Sequence, residues 1–245
     1  MSAAAATLWR QLRFERRLFW RNPSAAFFNF LLPLILLFLV ASVFAGEPEE
    51  LDVLIPGIAG MAVLATTFTA LAFNVTFLRE EGILKRVRGT PLPLPSYFGG
   101  LLGSAVANAI VQVLLIVVIG KVVYGVDWPR DPLSLAAFTA LGVACFGALG
   151  LAFANAIPNF DSAPAYVNAI FLPAIFISGV FYSTESLPPA LEAVAQTLPL
   201  KHVIDGLHGA IVTGAGVGEN LTAVAVVAAW AVAGAYLAVR YFRWE

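Results

Sequence analysis

Long apolar runs alternate along the chain with short polar segments. The apolar runs lie at about residues 25–45, 53–77, 97–123, 133–156, 165–181 and 221–239. An α-helix rises 1.5 Å per residue, so about 20 apolar residues cross the hydrocarbon core of a bilayer. The runs lack the polar face that a soluble helical bundle requires. The pattern therefore predicts an all-α integral membrane protein with six transmembrane helices.

The first 24 residues have a different pattern, in which basic and apolar positions share one helix. This segment contains five arginines and a single acidic residue, Glu15. Leu8, Leu12 and Phe19 recur at helical spacing, with aromatic residues on the apolar side. Segment 1–24 is therefore predicted to be an amphipathic helix lying on an anionic leaflet.

A dense cluster of charge separates the second apolar run from the third. Only 12% of the chain is charged, yet six charged residues fall within ten positions: Arg79, Glu80, Glu81, Lys85, Arg86 and Arg88. Ile83, Leu84 and Val87 give this segment one apolar face. A short helix within 78–91 is therefore predicted to lie in the interface plane, with its charges directed out of the lipid. Three prolines from Pro91 onward predict a stiff extended connector to the third run.

Polar side chains occur inside the second and fifth runs. Thr66, Thr69 and Asn74 belong to the second run, and Asn168 belongs to the fifth. Hydroxyl and amide groups at such positions face other helices or a watery path, and the sequence leaves both roles open. Residues 184–212 contain two amphipathic segments too short to cross the membrane. They are predicted to form a re-entrant or lid-like pair of helices on the extracellular side.

The 14 Lys and Arg residues are distributed unevenly between the two sides of this topology. Eleven lie in segment 1–24, in the charged cluster and at the C-terminal end, whereas Lys121, Arg130 and Lys201 lie on the opposite side. Basic residues accumulate on the cytoplasmic side of membrane proteins. We therefore predict a multi-pass protein of the plasma (inner) membrane, with both termini and 78–91 in the cytoplasm.

The sequence lacks the motifs of several enzyme classes. It contains no G-x-x-x-x-G-K-S/T motif, so the chain has no P-loop for nucleotide phosphates. His202 and His208 have no cysteine or acidic cluster at ligand spacing, and Cys145 is the only cysteine. No span combines the catalytic groups of an intramembrane protease. We therefore predict no catalytic residues, no metal site and no cofactor in this chain.

Three segments resemble characteristic elements of permeases of the ABC-2 type. Residues 79–93 (REEGILKRVRGTPLP) resemble the element that follows the second helix in that family. Residues 172–188 (LPAIFISGVFYSTESLP) resemble the stretch that closes the fifth helix, and residues 198–208 (LPLKHVIDGLH) resemble a segment beyond it. The chain departs from the family pattern at Ser183, where proline is frequent, and at His208, where arginine is frequent.

The resemblance implies one ABC-2 type transmembrane domain over residues 1–245, the membrane subunit of an ABC exporter of the drug-resistance or daunorubicin type. Such permeases work in pairs, identical or different, with separate ATPase subunits that hold ATP and Mg²⁺. The resemblance implies membrane lipids as further partners and no binding of nucleic acid. Segment 78–91 would be the coupling helix, seated with the connecting helix 1–24 against the ATPase. The contact candidates are Arg79, Glu80, Glu81, Lys85, Arg86 and Arg88. The substrate-path candidates, on the second and fifth helices, are Thr66, Thr69, Phe73, Asn74, Asn168, Phe171 and Phe176.

Other hypotheses remain open beside this one. Aromatic rings with sparse hydroxyl and amide groups suit a hydrophobic or amphipathic cargo, drug-like or lipid-like. Export of a lipid-linked glycan is the alternative within the family, but glycan exporters often have aromatic-rich channels and these two spans are only moderately aromatic. A membrane scaffold that transports nothing is the alternative from a different class of protein. In that case the basic residues of 78–91 would only fix the topology and bind anionic lipid.

Overall fold

The computed structural model describes residues 3–21, 23–44, 46–90 and 94–242, and all regular structure in these ranges is helical. The helices are α1 (Ala3–Trp20), α2 (Pro23–Val43), α3 (Pro48–Glu80), α4 (Ile83–Arg88), α5 (Leu94–Tyr124), α6 (Pro132–Ala154), α7 (Ala163–Ile177), α8 (Pro189–Ala195), α9 (Pro199–His208) and α10 (Leu221–Tyr241). A 3-10 turn covers Thr184–Ser186, and π-helical turns cover Ala65–Thr69 within α3 and Gly209–Thr213 after α9. The all-α prediction is confirmed.

Four helices of the described part are long and apolar enough to cross a membrane: α3, α6, α10 and the part of α5 from Ser96 onward. The predicted first and fifth runs correspond to shorter apolar helices, Phe30–Val43 within α2 and the 15-residue α7. α7 extends about 22 Å, less than the hydrocarbon core of about 30 Å, whereas the whole of α2, with 21 residues, extends about 31 Å. The apolar helices fit a multi-pass membrane protein, while the count of six spans stays a prediction.

The second predicted run is longer than expected at both ends. α3 begins at Pro48 instead of near residue 53, because proline suits the first turn of a helix and Glu49 and Glu50 complement the dipole there. It continues to Glu80, so the short charged helix begins only at Ile83. Residues 48–52, which precede the second predicted run, and the first residues of segment 78–91 therefore belong to α3.

Two further boundaries differ from the prediction. α5 begins at Leu94 and includes Pro95 in its first turn, where a missing N–H leaves no hydrogen bond unmade. The predicted extended connector was therefore wrong at Pro95, and its residues 91–93 lie outside the described ranges. α7 ends at Ile177 because Gly179, with φ of 76°, takes the left-handed conformation that ends helices.

α3 forms the centre of the fold. Its most apolar 18-residue window is 78% buried, against 22% for the window of α10 at the periphery. Helices α2, α5, α6 and α9 all contact α3. The main core joins Ile58 and Met61 of α3 to Phe138 and Phe146 of α6. A force applied to either end of α3 therefore acts on most of the bundle.

Helices α8 and α9 are joined by a turn at residues 196–198, here called the hairpin turn, and α9 enters the bundle whereas α8 is largely exposed. Eight of the ten residues of α9 are buried, and a Cβ added to Gly60 of α3 would lie 2.6 Å from Ile204 Cγ1. The turn of the hairpin is held by Trp230 of α10, whose Nε1 donates to the Thr197 carbonyl at 2.9 Å. The re-entrant arrangement of the pair and its side of the membrane stay predictions.

Candidate functional site

Arg79 and Glu80 bind the loop between α6 and α7. The Arg79 guanidinium donates to the carbonyl oxygens of Ala154, at 2.9 Å, and Ile157. The Glu80 carboxylate accepts the backbone N–H of Phe160. A cation is favourable at the end of a helix, where the last carbonyl groups lack helical partners. These two side chains therefore fasten the charged end of α3 to the end of α6.

α4 is amphipathic in the sense that the sequence predicts. Leu84 is fully buried and packs in a cluster with Leu71 of α3, Leu151 of α6 and Ala238 of α10. The exposed side of the helix carries Lys85, Arg86 and Arg88. α4 therefore displays positive charge while one leucine anchors it to three long helices.

A tight turn separates α3 from α4. Gly82 has φ of 66°, and its N–H donates to the Arg79 carbonyl at 3.0 Å. Glycine adopts this left-handed conformation without the strain that a side chain would add. Glu81, beside it, is exposed. The six contact candidates thus divide into Arg79 and Glu80, which bind the neighbouring loop, and four residues on the exposed surface.

α1 packs against the first turns of α5 through glycine. A Cβ added to Gly100 would lie 2.4 Å from Gln11 Cγ, and one added to Gly103 would lie 3.0 Å from Leu12 Cδ1. Close approach of this kind requires the absence of a side chain on α5. The predicted connecting helix is therefore docked on the first turns of α5, the helix that follows the charged cluster in the sequence.

Glu15 is buried at this contact. Its side chain is 8% exposed and accepts a hydrogen bond from Gln11 Nε2 at 2.8 Å. Burial raises the pKa of the Glu15 carboxyl above its usual 4.5, and the hydrogen bond from Gln11 offsets part of that rise. The docked α1 therefore favours the protonated carboxyl.

Glu15→Gln is expected to raise the stability of the protein at neutral pH. Because the folded pKa exceeds the unfolded pKa, the protonated carboxyl stabilises the fold fully below the unfolded pKa, and this contribution is lost as pH rises through the folded pKa. Glutamine keeps the shape and the hydrogen bond without charge. Thermal unfolding from about pH 4 to about pH 7 should show a Tm a few degrees above wild type at the upper end, with a flatter profile. Glu81→Gln, on the exposed surface, is the control, and parallel profiles for Glu15→Gln and wild type would contradict the prediction.

The substrate-path candidates do not form one enclosed site in this chain. Thr66 is 2% exposed and its hydroxyl donates to the Ala62 carbonyl at 2.8 Å. The Thr69 hydroxyl oxygen is buried without a hydrogen-bond partner among the described residues. Phe73, Asn74 and Phe171 are half-buried, and Asn168 and Phe176 are exposed. α3 contacts α7, but the exposed pair on α7 faces away from the bundle, so only a second surface can enclose a path there.

A buried polar cluster on α9 is absent from the sequence-based predictions. Lys201 is 8% exposed, and its Nζ lies 2.6 Å from Asp205 Oδ2. His202 is also buried, with Nε2 2.9 Å from the Gln196 carbonyl. In the sequence, the i, i+4 spacing of Lys201 and Asp205 could have indicated that the two side chains form an ion pair on one helix. Within the described ranges, no group of three or more His, Cys, Asp or Glu is placed to hold a metal ion.

Comparison with known proteins identifies the family. The family model described as "ABC-2 type transporter" matches residues 5–212. The chain is 24% identical over 186 residues to "Probable multidrug ABC transporter permease YbhS" of Escherichia coli, a match that covers 71% of this chain and 45% of that protein. It is 22% identical to "Nodulation protein J" of Sinorhizobium fredii (70% of this chain, 66% of that protein) and 24% identical to "Inner membrane transport permease YadH" of Escherichia coli (63% and 60%).

The chain spans about half to two thirds of the length of these curated relatives. The family match, by contrast, includes α1, α4 and the hairpin of α8 and α9. Because that match extends over well more than half of the 245 residues, the protein belongs to the ABC-2 type transporter family.

Proposed function

We propose that this chain is the membrane-spanning permease subunit of an ATP-driven exporter for a hydrophobic or amphipathic compound. The energy comes from ATP, which separate ATPase subunits bind with Mg²⁺ and hydrolyse, and a second permease, identical or different, completes the membrane part. The names of the relatives support this proposal, since they include a probable multidrug ABC transporter permease and an inner membrane transport permease.

The observation that carries the proposal is the arrangement of α4. Its basic side is exposed, and its single buried residue, Leu84, lies in a cluster with side chains of α3, α6 and α10. A soluble partner that binds the exposed charges and moves would displace Leu84 and, through it, the ends of three long helices. Packed interiors transmit such displacements as rigid-body shifts because they compress very little.

Arg79 and Glu80 have a different part in this proposal. Because both side chains bind the loop that follows α6, they make the end of α3 and the end of α6 move together. Among the six candidates, the exposed residues of α4 are the ones that meet the ATPase. Arg79 and Glu80 pass the displacement on within the permease.

Charge reversal on α4 tests the proposal. Arg86→Glu should lower the stimulation of ATP hydrolysis by the permease at least tenfold in proteoliposomes, since tenfold corresponds to only about 1.4 kcal/mol at the contact. Membrane insertion and thermal stability should stay at wild-type values because Arg86 is exposed. Arg130→Glu, an equal charge reversal at a residue outside α4, is the matched control and should leave the stimulation intact.

The opposite result would refute the proposed role of α4. The stimulation of ATP hydrolysis could stay unchanged in Arg86→Glu and also in a variant with Lys85, Arg86 and Arg88 all replaced by Glu. That result would assign these charges to topology and lipid binding. Failure of any ATPase subunit to co-purify with the wild-type chain would favour the scaffold hypothesis instead.

A further inference from the structure

A cavity of about 610 Å³ lies beside α6, α7 and α10. Its walls are almost entirely apolar and include Phe68, Phe153, Ile170, Ala174, Trp230 and Tyr241. None of the seven substrate-path candidates belongs to this set. The cavity is therefore a second place in the chain where an apolar molecule fits.

The cavity has the length of one membrane leaflet. Along α10 it extends from Trp230 to Tyr241, which is about 16 Å at 1.5 Å per residue. Half of a hydrocarbon core of about 30 Å is about 15 Å. The hairpin turn at Leu198 closes the cavity near the level of Trp230, because the two segments are joined by the hydrogen bond from Trp230 to Thr197.

The cavity opens sideways, towards the surroundings of the bundle. Ile170 is 42% exposed, Leu237 is 43% exposed and Tyr241 is 61% exposed, although all three line the cavity. Its inner wall is aromatic, with the rings of Phe68 and Phe153 stacked at a centroid distance of 5.4 Å. In a bilayer, the molecules that reach such an opening are lipids.

Positive charge lies at the end of the cavity near the charged cluster. The Arg240 guanidinium is 5.7 Å from the ring centroid of Tyr241, which lines that end. Arg79 donates to the carbonyls of Ala154 and Ile157, immediately before and after the lining pair Asn155 and Ala156. The wall between this end and the hairpin turn is almost entirely apolar. The site thus complements an anionic head followed by a hydrocarbon chain.

We propose that the cavity binds one acyl chain of an anionic phospholipid from the leaflet on the side of the charged cluster. The phosphate lies near Arg240, and the chain runs along the aromatic wall to Trp230. The phospholipid is proposed to bind at this site, and it need not be transported.

Fluorescence of Trp230 tests this proposal directly. Trp9, Trp20, Trp128 and Trp244 are replaced by Phe, which leaves Trp230 as the only tryptophan of the chain. The protein is reconstituted in vesicles containing equal fractions of phosphatidylglycerol and phosphatidylcholine, with bromine on the chains of one lipid or the other. Brominated phosphatidylglycerol should quench Trp230 about fivefold more effectively than brominated phosphatidylcholine. This ratio corresponds to the binding free energy of about 1 kcal/mol that one basic residue contributes towards an anionic lipid.

Two variants locate the site, and each has a control. Ala174→Phe, within the cavity, should reduce quenching by both lipids, whereas Ala169→Phe, exposed on the same helix outside the lining, should not. Arg240→Gln should remove the preference for phosphatidylglycerol, and Arg10→Gln, on α1, should keep it. Native mass spectrometry of the wild-type chain, with all tryptophans in place, should show one retained phosphatidylglycerol per protomer.

Three results would overturn the proposal. Equal quenching by the two lipids would refute the anionic head, and unchanged quenching in Ala174→Phe would place the contact elsewhere. Weak quenching by both lipids would mean that protein, such as a second permease, covers the cavity. Because these measurements need neither ATP nor an ATPase, their outcome is independent of the ATP-hydrolysis test of α4.

Discussion

Gly57→Ala is expected to destabilise the protein by roughly 3 kcal/mol or more, a fall in Tm of about 6–12 °C for a chain of this size. Gly57 lies in the first half of α3, where the segment after α7 presses against it. A Cβ at this position would lie 2.0 Å from the Val180 carbonyl oxygen and 2.7 Å from its carbonyl carbon. Both atoms belong to the backbone, so no rotation of a side chain can relieve the contact.

The surrounding structure leaves α3 little room to move away. The residues on both sides of Gly57 in α3 are buried, and Val180 is itself 0% exposed. Separating the two segments would open a void in the main hydrophobic core, which costs free energy in proportion to its volume. The added methyl group thus leads either to strain or to a cavity.

Gly218→Ala is the matched control, because nothing lies within 4 Å of a Cβ built at that glycine. Thermal unfolding of the purified protein in detergent, followed by fluorescence, measures both variants. A Tm for Gly57→Ala within about a degree of wild type would contradict the close approach of Val180 to α3, since an ordinary surface substitution changes stability by at most about 0.5 kcal/mol.

The local features of the chain were predictable because they depend on sequence spacing alone. The apolar face of α4 was predictable from Ile83, Leu84 and Val87, since three positions at helical spacing define one side of a helix. A helix near the start of the chain, Ala3–Trp20, followed from its arginines and aromatic residues in the same way, whereas its docking on α5 did not. Each of these predictions needs information from fewer than about 25 neighbouring residues.

The missing parts are long-range pairings, for which periodicity carries no signal. Nothing in the segment around Arg79 indicates that its guanidinium binds Ala154, 75 positions later. The cavity beside α10 is lined from five separate helices and the hairpin turn, so no single run contains its pattern. The boundary at Pro95 was misplaced because the proline was interpreted as a helix breaker, although the first turn of a helix accepts it. The boundary at Pro48 was misplaced because the apolar run that set it does not include the charged first turn of α3.

The same distinction explains why the charged cluster was interpreted as uniform. From the sequence, Arg79 and Arg86 are two basic residues of one short segment. In the structure, Arg79 lies in the last turn of a 33-residue helix and binds two carbonyl groups, whereas Arg86 is exposed on the next helix. Equal substitutions at these two positions should therefore have unequal effects.

Arg79→Gln is expected to cost about 2–4 kcal/mol of stability, with hydrogen bonds to a charged group accounting for most of it and the lost helix-end charge for the rest. Glutamine is shorter and uncharged, so the Ala154 and Ile157 carbonyls lose a partner that reaches both. The loop between α6 and α7 should then open more often than in the wild type. Hydrogen exchange of peptides covering residues 155–162, followed by mass spectrometry, measures this opening, and thermal unfolding measures the global loss.

Two further substitutions separate geometry from charge. Arg79→Lys keeps the positive charge but presents one ammonium group in place of the planar fork that reaches two carbonyl oxygens, so its loss should be about half that of Arg79→Gln. Arg86→Gln removes an equal charge from an exposed position. It should leave the hydrogen exchange of the loop unchanged and alter the free energy of unfolding by at most about 0.5 kcal/mol. If Arg79→Gln and Arg86→Gln gave the same exchange and the same Tm, the fastening of α3 to α6 through Arg79 would be refuted. The permease would then need another connection between the ends of these two helices to move them together.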